Sequence, residues 1–271
     1  MRHLPVAMTI AGSDPSGGAG MQADLKTFAA VRVYGLSVIT AVIAQNSATV
    51  SWVQAVSPDL ITAQLATIVA ERVPDALKIG ALASAGVANA VATSLESLAL
   101  PAPVLDPVLV SSSGTRLLDS EGETILRARL MPHAALVTPN IPEAAVLSGI
   151  EIDGMAAMRE AALTLHRLGP HSVLIKGGHW PTTHGGGKEA SKAVDLFFDG
   201  RRYLEFTTSR IPGDGAHGTG CTLSAAIAAW LARGIELETA IRRAKSYVTR
   251  LLKNTVVIGK GRCMLDHFMP L

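Results

Sequence analysis

The sequence predicts an α/β fold in which helices cover both faces of a central, mostly parallel β-sheet. Short runs of Val, Ile and Leu alternate along the chain with segments of helical periodicity, as in repeated β-α-β units. Hydrophobic residues make up 48% of the 271 residues and aromatic residues only 4%, which is typical of strands buried on both faces. We expect residues 1–271 to form one domain.

The individual elements follow from hydrophobic periodicity. The predicted strands of the main sheet are residues 5–11, 36–44, 76–80, 103–110, 134–138 and 172–176. The predicted helices are residues 18–31, 58–72, 84–98, 120–129, 142–149, 154–168, 219–233 and 236–252. Residues 193–198 and 202–207 flank an Asp-Gly-Arg turn and predict a hairpin. Residues 179–191, with three consecutive glycines, predict a mobile loop whose two histidines are solvated rather than bound to a metal.

Charge and cysteine content exclude several classes of protein. The formal net charge is +2, and the basic residues are scattered without interleaved aromatic residues, so no nucleic-acid partner is expected. The apolar run near the N-terminus is short and is soon followed by Asp14, which favours a buried strand over an export signal. No run approaches the roughly 18 apolar residues of a membrane span. Two cysteines give no disulfide framework, and we expect a cytoplasmic protein with no membrane partner.

A glycine-rich turn opens directly into a helix at residues 217–222, with the sequence His-Gly-Thr-Gly-Cys-Thr. The first backbone amides of a helix lack partners within the helix and lie at the positive end of its dipole. Glycines there let a ligand approach the backbone, so the turn predicts an anion site with the Cys221 thiol beside it. A glycine-rich helix start with a small buried cysteine is the structural alternative.

A second glycine-rich turn, at residues 11–20, follows the first predicted strand. On the helix after it, Asp24 occupies a position on an otherwise apolar face, which requires a polar partner. Either a hydrogen bond to a neighbouring backbone group or a ligand would satisfy this carboxylate. Gln45 ends the second strand, and its carboxamide is suited to reading the edge of a heterocycle.

Further polar residues follow predicted strands, where ligands bind in open α/β sheets. They are Asp106, Asn140, Glu143 and Lys176. Helix capping would explain Asn140 and Glu143, and a lysine at a strand end is often only solvated. Together with the anion turn, however, a lysine and carboxylates able to hold Mg²⁺ predict phosphoryl transfer.

These motifs resemble those of the hydroxymethylpyrimidine and phosphomethylpyrimidine kinases of thiamine biosynthesis, in the ribokinase-like superfamily. The resemblance runs essentially end to end, and its most specific segments are residues 11–28, 34–46, 78–80, 105–110, 138–143, 176–179 and 217–229. It implies a three-layer fold with a mostly parallel sheet between helices. It also implies ATP-dependent phosphorylation of 4-amino-5-hydroxymethyl-2-methylpyrimidine and then of its monophosphate to the diphosphate. ATP as co-substrate, Mg²⁺ and a homodimer are implied with it.

The resemblance assigns site residues by position. It implies substrate binding by Gly12, Asp24, Gln45, Ala81 and Val108. It implies nucleotide binding by Thr138, Asn140, Glu143, Lys176, Gly218, Thr219 and Gly220, catalysis by Cys221 and Lys176, and Mg²⁺ near Asp106 and Glu143. This chain departs from the family at Ala81, where methionine is common, and at Ala216, where threonine often stands. The first departure implies a roomier substrate pocket.

Cys221 occupies the position where sugar kinases of the superfamily carry an aspartate base. Its helix terminus is expected to lower the pKa of the thiol below about 8.5, which would favour a thiolate. Whether the thiol is a base or only orients the alcohol stays open. His217 is interpreted as structural, because it precedes the turn rather than lying within it.

Three other functions are considered. A pyridoxal kinase of the same superfamily would also phosphorylate a hydroxymethyl heterocycle, and Gln45 with Ala81 separates the two only in part. A cysteine hydrolase is disfavoured, because the spacing of a nucleophile elbow requires glycine at position 223, which is Leu. A non-catalytic pyrimidine-binding protein would be expected to lack Lys176 or Cys221, and this chain has both.

Overall fold

The structure is a computed structural model that describes residues 4–111, 113–178, 192–211, 215–259 and 262–269. The loop predicted at residues 179–191 lies outside the described residues. The helices are α1 (Gly20–Ala30), α2 (Pro58–Glu71), α3 (Ala85–Ser97), α4 (Ser120–Ile125), α5 (Ile141–Ser148), α6 (Met155–His166), α7 (Thr219–Ala232) and α8 (Leu237–Lys253). The strands are β1 (Val6–Ser13), β2 (Tyr34–Gln45), β3 (Val50–Ala55), β4 (Ala76–Ile79), β5 (Val104–Leu105), β6 (Leu136–Val137), β7 (Val173–Ile175), β8 (Lys192–Phe198), β9 (Tyr203–Ser209), β10 (Thr255–Val256) and β11 (Met264–Leu265).

Within the described residues, nine strands form one sheet in the order β3-β2-β1-β4-β5-β6-β7-β8-β9. The six neighbouring strands β2, β1, β4, β5, β6 and β7 are all paired in parallel. The pairings of β3 with β2, of β8 with β7 and of β9 with β8 are antiparallel. This arrangement confirms the predicted α/β fold. It also places the carboxyl ends of the six parallel strands along one edge of the sheet.

The core has two layers, one on each face of the sheet. One layer packs residues of α2, α3, α5 and α6 against the sheet, including Leu65, Val91, Leu147 and Leu165. The other packs residues of α1, α7 and α8, including Phe28, Ile227 and Leu251. Because helices cover both faces, the central strands are apolar without alternation, as the composition predicted.

Local sequence signals set several helix boundaries. The Ser57 side chain accepts a hydrogen bond from the Leu60 backbone amide at the start of α2, and Asp119 accepts one from Gly122 at the start of α4. At the end of α5, Gly149 adopts a left-handed conformation with φ of 72°. A side chain that accepts a hydrogen bond from a free backbone amide favours the start of a helix. Glycine favours the end of a helix, because it adopts the left-handed conformation without steric strain.

Three elements differ from the sequence prediction. Strand β3 was not predicted, because it is a largely exposed edge strand defined by its pairing with β2. The predicted strand at 103–110 is only Val104–Leu105, since Pro107 removes a donor and directs the chain away from the sheet. The helix predicted at 120–129 ends at Ile125 and continues as a π-helical turn over Leu126–Leu130.

The C-terminal segment was also not predicted as structured. Strands β10 and β11 pair in antiparallel fashion, and Met264 pairs with His217. The His217 backbone amide donates to the Cys263 carbonyl at 2.9 Å. The His267 ring lies 3.0 Å from the Thr222 hydroxyl in the first turn of α7. The segment therefore packs on the glycine-rich turn before α7. In the described part of the chain, no helix is long and apolar enough to cross a membrane.

We predict that Leu65→Ala lowers the free energy of unfolding by about 2–5 kcal/mol, because Leu65 is fully buried and the substitution leaves a cavity. Leu60→Ala on the same helix is the control, since Leu60 is 52% exposed and should change it by less than about 0.5 kcal/mol. Urea denaturation of both variants tests the core assignment. Equal effects would contradict the burial of this face of α2.

Candidate active site

The turn before α7 contains backbone that only glycine adopts comfortably. Gly218 precedes α7 with φ of 83°, and it has no side chain that could cap the first amides of the helix. A Cβ atom on Gly218 would lie 1.7 Å from the carbonyl oxygen of Gly18, in the turn after β1. A Cβ atom on Gly18 would in turn lie 2.8 Å from the His217 ring. The two glycine-rich turns are thus in direct backbone contact.

Asp14 fixes the relative position of these turns. Its carboxylate accepts hydrogen bonds from the Ser16 amide at 2.9 Å and from the Ala19 amide at 2.8 Å, and it lies 2.8 Å from His217 Nε2. Burial alone would raise the pKa of Asp14, but hydrogen bonds from His217, Ser16 and the Gln45 side chain hold it well below its usual range. Asp14 is therefore ionised at neutral pH, and its bond to His217 agrees with the structural interpretation of that histidine.

Lys176 and Asp106, predicted from separate strand ends, form an ion pair. The Lys176 ammonium lies 2.7 Å from Asp106 Oδ1, which also accepts from the Thr138 hydroxyl at 3.2 Å. Burial would raise the pKa of Asp106, but Lys176 and Lys78 lower it. Burial would lower the pKa of Lys176, but Asp106 and Glu143 raise it. Both groups are therefore charged at neutral pH.

This ion pair faces the first turn of α7. A Cβ atom on Gly220 would lie 3.1 Å from the Lys176 ammonium and 3.8 Å from Asp106 Oδ2. The Ser224 hydroxyl, one turn further along α7, donates to Asp106 Oδ2 at 3.4 Å. The fold thus brings the predicted anion turn, the lysine and a carboxylate to one place.

Asn140 and Glu143 form a capping box at the start of α5. The Asn140 side chain accepts from the Glu143 amide and the Glu143 carboxylate accepts from the Asn140 amide, each at 2.8 Å. Lys176 pairs with Asn140 through the backbone. Burial raises the pKa of Glu143 to about 7; Lys176 opposes this shift and Asp106 adds to it. The predicted capping role is confirmed, and the two residues also lie beside the Lys176 site.

The residues predicted on the substrate side lie at or after neighbouring strand ends. Gly12 lies near the end of β1, and a Cβ atom there would be 3.1 Å from Ile43 Cδ1. Gln45 ends β2, Ala81 follows β4, and Val108 follows β5. Ala81 accepts a hydrogen bond from the Thr40 hydroxyl at 2.6 Å through its backbone carbonyl.

Asp24 has a partner that sequence patterns did not reveal. Its carboxylate is fully buried, 2.8 Å from the Lys78 ammonium, and accepts from the Thr9 hydroxyl at 2.6 Å. Burial raises the pKa of Asp24 although Lys78 acts in the opposite direction. The structure shows neither a backbone group nor a ligand in this role, because the partners of Asp24 are the side chains of Lys78 and Thr9. The sequence signal for this ion pair was the lysine within the otherwise apolar strand Ala76–Ile79.

Cys221 lies in the first turn of α7, as the sequence predicted. The predicted lowering of its thiol pKa, however, is wrong. Burial raises the pKa of the Cys221 thiol to about 11; Lys78 acts against this shift, and Asp24 and Asp106 reinforce it. The desolvation of a charged thiolate outweighs the favourable effect of the helix terminus. The thiol is therefore protonated at neutral pH in this structure.

A basic groove between β9 and α8 was not predicted. It encloses about 420 Å³, and the residues lining it include Phe206, Thr207, Arg242, Lys245, Thr249 and Arg250. Lys245 lies 2.6 Å from Asp195, whose other carboxylate oxygen accepts from the Gly177 amide at 3.0 Å. The groove is therefore connected to the residue after Lys176. The series of basic residues along α8 was the signal in the sequence.

Comparison with solved structures defines the class of protein. The fold matches a pyridoxal kinase of Bacillus subtilis, solved as an ADP complex, with a TM-score of 0.86, 37% identity and coverage of 98% of each chain. It matches a phosphomethylpyrimidine kinase of Clostridium difficile with a TM-score of 0.78 and 38% identity, covering 92% of this chain and 99% of that one. These matches confirm a kinase with the ribokinase-like fold.

Sequence comparison defines the family. The phosphomethylpyrimidine kinase family matches residues 14–266. The chain is 43% identical over 272 residues to a hydroxymethylpyrimidine/phosphomethylpyrimidine kinase of Synechococcus elongatus, which covers 99% of both chains. It is also 43% identical to a thiamine biosynthesis bifunctional protein of Geobacter sulfurreducens, but spans only 52% of that longer protein. The chain therefore belongs to the phosphomethylpyrimidine kinase family.

The backbone contact at Gly218 can be tested against a matched glycine. Gly234 follows α7 with φ of 73°, and a Cβ atom there would have no neighbouring atom within 4 Å, so Gly234→Ala carries only the conformational strain of about 1–2 kcal/mol. Gly218→Ala adds an overlap with Gly18 and should lower the free energy of unfolding by at least about 1 kcal/mol more. Equal losses in urea denaturation would show that the turns are not in contact.

Proposed function

We propose that this chain transfers the γ-phosphoryl group of ATP to 4-amino-5-hydroxymethyl-2-methylpyrimidine, and in a second turnover to the resulting monophosphate. This activity would supply the pyrimidine diphosphate for thiamine diphosphate biosynthesis. One observation carries the proposal: Lys176, Asp106 and the first turn of α7 meet at Gly220, which places no side chain between the start of the helix and the Lys176 ammonium. Family membership supports the choice of substrate.

The nucleotide side is formed by Thr138, Asn140, Glu143, Lys176, Gly218, Thr219 and Gly220. The amides at the start of α7 point toward the transferring phosphoryl group, and Lys176 neutralises its charge. The basic groove between β9 and α8 receives the remainder of the nucleotide. Its connection to Lys176 through Asp195 and Gly177 supports this placement.

A magnesium ion fits this site only together with bound phosphates. The described residues contain no group of three or more His, Cys, Asp or Glu side chains able to hold a metal. In phosphoryl-transfer enzymes, Mg²⁺ is typically bound by one or two carboxylates together with phosphate oxygens and water. Asp106 and Glu143 are the carboxylates that would hold it, through water. When bound, the ion neutralises charge on the phosphate oxygens.

Cys221 and Lys176 are the proposed catalytic residues. Cys221 accepts the proton of the hydroxymethyl group as its oxygen forms a bond to the γ-phosphorus and the bond to the ADP oxygen breaks. Burial raises the pKa of this thiol to about 11, so the thiol is almost entirely protonated at pH 7. The thiolate is then a strong but rare base, so groups that stabilise its charge matter to the rate.

The substrate pocket is formed by Gly12, Gln45, Ala81 and Val108. Gln45 pairs with the ring nitrogen and exocyclic amine of the aminopyrimidine, because a carboxamide donates and accepts in one plane. Asp24, assigned to this pocket by resemblance, is fully buried against Lys78 and lies behind it.

Phosphorylation of pyridoxal is the second candidate, because the Bacillus subtilis structure that matches over 98% of both chains is a pyridoxal kinase. The small Ala81 side chain leaves room for a different ring. We propose it as a slower side reaction.

The domain organisation, cellular location and oligomeric state of the protein are also proposals. We infer one domain over residues 1–271, a cytoplasmic location and a homodimer. The single nine-stranded sheet within the described residues supports the first inference, and the two free cysteines support the second. For the third, Trp52 and Val42 are 67% and 58% exposed, and β3 and β2 are paired, so a second copy could cover them.

We predict that Cys221→Ala lowers kcat by about 10²-fold or more, since general-base assistance is typically worth that much, while the affinity for ATP changes little. Cys263→Ser is the control, because it removes the other free thiol. Thiol reagents should inactivate the Cys263→Ser protein, and bound ATP should protect it. A near-normal kcat for Cys221→Ala would exclude the thiol as base.

Substrate preference tests the proposed function directly. With ATP and Mg²⁺, we expect kcat/KM for hydroxymethylpyrimidine to exceed that for pyridoxal by at least about tenfold, because pyridoxal lacks the amine and leaves polar groups unpaired at about 1–3 kcal/mol each. Gln45→Leu should remove most of this difference by impairing the pyrimidine reaction alone. Preference of the wild type for pyridoxal, or equal loss of both activities in Gln45→Leu, would favour the second candidate.

A further inference from the structure

A buried ion pair joins β8 to α8 and has no direct part in the proposed reaction. Lys245 Nζ on α8 lies 2.6 Å from Asp195 Oδ2 on β8, and the two side chains are only 10% and 7% exposed. The same strand and helix otherwise contribute apolar residues such as Phe197 and Ile241 to this side of the core. Because both charges lose their hydration, a buried ion pair adds little net stability compared with apolar side chains of similar volume. Stability alone therefore does not account for the pair.

The other carboxylate oxygen of Asp195 holds the backbone that follows β7. Asp195 Oδ1 accepts a hydrogen bond from the Gly177 amide at 3.0 Å. The pairing of β7 with β8 ends at Ile175 and Leu196, so this amide lies beyond the ladder and its acceptor is a side chain. A Cβ atom on Gly177 would overlap the Val194 carbonyl oxygen, so the backbone stays close to β8 here. Asp195 thus extends the attachment of β7 to β8 past the last backbone pair.

Lys176 is consequently anchored on both sides of its Cα atom. Its own amide donates to the Pro139 carbonyl at 2.8 Å, in the turn before α5, and the next amide along the chain donates to Asp195. A lysine carries its charge on a flexible stem, so a fixed backbone restricts where the ammonium can lie. Here the ammonium lies 2.7 Å from Asp106 Oδ1 and faces Gly220. The position of this charge therefore depends on both backbone hydrogen bonds.

Lys245 orients the carboxylate that makes the second of these bonds. An ionised carboxylate in the core requires a counter-charge, which Lys245 supplies. Because Oδ2 of Asp195 is bonded to this ammonium, Oδ1 is left to the Gly177 amide, and each oxygen has a donor. Lys245 also lines the basic groove between β9 and α8. One chain of contacts thus runs from this groove to the backbone beside Lys176.

We propose that Asp195, held by Lys245, is a positioning residue for Lys176. Its hydrogen bond to the Gly177 amide fixes the backbone from which the Lys176 ammonium reaches the first turn of α7. This inference rests on the proposed function, in which that ammonium neutralises the transferring phosphoryl group. Displacement of a reacting or charge-stabilising group by about 1 Å can cost about 10²-fold in rate, so an anchor away from the phosphates matters to the reaction.

Two double variants differ in the hydrogen bond to Gly177 and share the loss of the Lys245 charge. The polar variant, Asp195→Asn with Lys245→Gln, keeps a carbonyl oxygen as acceptor and a neutral hydrogen bond between the two side chains. The apolar variant, Asp195→Val with Lys245→Met, removes the acceptor and replaces the ion pair by side chains that a core tolerates. In the ligand-free proteins, hydrogen exchange of the Gly177 amide, followed by NMR, should be about tenfold faster in the apolar variant.

The same two variants measure the effect on Lys176. We expect the apolar variant to bind a non-hydrolysable ATP analogue about tenfold more weakly than the polar variant, because a displaced ammonium leaves phosphate charge uncompensated. The value of kcat/KM for ATP should fall by at least about that factor, whereas KM for the pyrimidine should change by less than about twofold. In a Lys176→Met background the two variants should become equal, since no ammonium remains to be positioned. A merely structural effect would persist there.

Glu205→Gln is the control, because it breaks an exposed ion pair between β9 and Arg159 on α6. It should leave the exchange rate, the affinity for the ATP analogue and the kinetics unchanged. If the apolar variant does not fold, Asp195→Asn alone takes its place, because the charged Lys245 donor then competes with the Gly177 amide for a single carbonyl oxygen. Adding Lys245→Gln should in that case restore slow exchange and tight binding of the analogue.

The outcomes separate this inference from the proposed function. Faster exchange at Gly177 together with weaker binding of the ATP analogue, both relative to the polar variant, supports it when the difference in binding disappears in the Lys176→Met background. Equal affinity for the analogue in the two double variants overturns it, as does a difference that persists without Lys176. Absence of pyrimidine kinase activity in the wild type would instead overturn the proposed function, and the exchange and analogue measurements would still be readable.

Discussion

Two turns from distant parts of the chain meet with no space for a side chain, and the site depends on this contact. Gly218 lies against the carbonyl of Gly18, and Asp14 joins both turns by accepting hydrogen bonds from its own loop and bonding to His217. The contact fixes the start of α7 relative to the turn that follows β1. The C-terminal segment reinforces this position through Met264 and His267.

Charge is arranged in two layers around the first turn of α7. The outer layer is the pair of Lys176 with Asp106, which lies beside Gly220 and is suited to exchanging a carboxylate for phosphate oxygens. The inner layer is the pair of Lys78 with Asp24, which is closed to solvent. Lysines in the two layers are not interchangeable, because only the outer one can reach a ligand. Lys78 of the inner layer lowers the pKa of the Cys221 thiol, whereas Asp24 and Asp106 raise it together with burial.

The relation to pyridoxal kinases follows from the same geometry. In the proposed reaction, the fold and the start of α7 serve the nucleotide and the transferring group, and these requirements are the same for any hydroxymethyl heterocycle. We propose that the choice between rings depends on a few side chains at the strand ends, above all Gln45 and Ala81. A pyridoxal kinase and a phosphomethylpyrimidine kinase both match the chain over most of its length, as this proposal expects.

The sequence by itself determined the order of helices and strands, the two glycine-rich turns and the residues that follow each parallel strand. These features depend on local periodicity, on capping side chains such as Asn140, and on motifs read residue by residue. Short or exposed elements such as β3 could not be predicted from the sequence, because a partner strand defines them. Tertiary structure alone decided that Asp24 is paired with Lys78, 54 residues away, and that burial raises the pKa of Cys221. The physical reason is that pairing and desolvation are set by neighbours that are distant in sequence, so no local pattern encodes them.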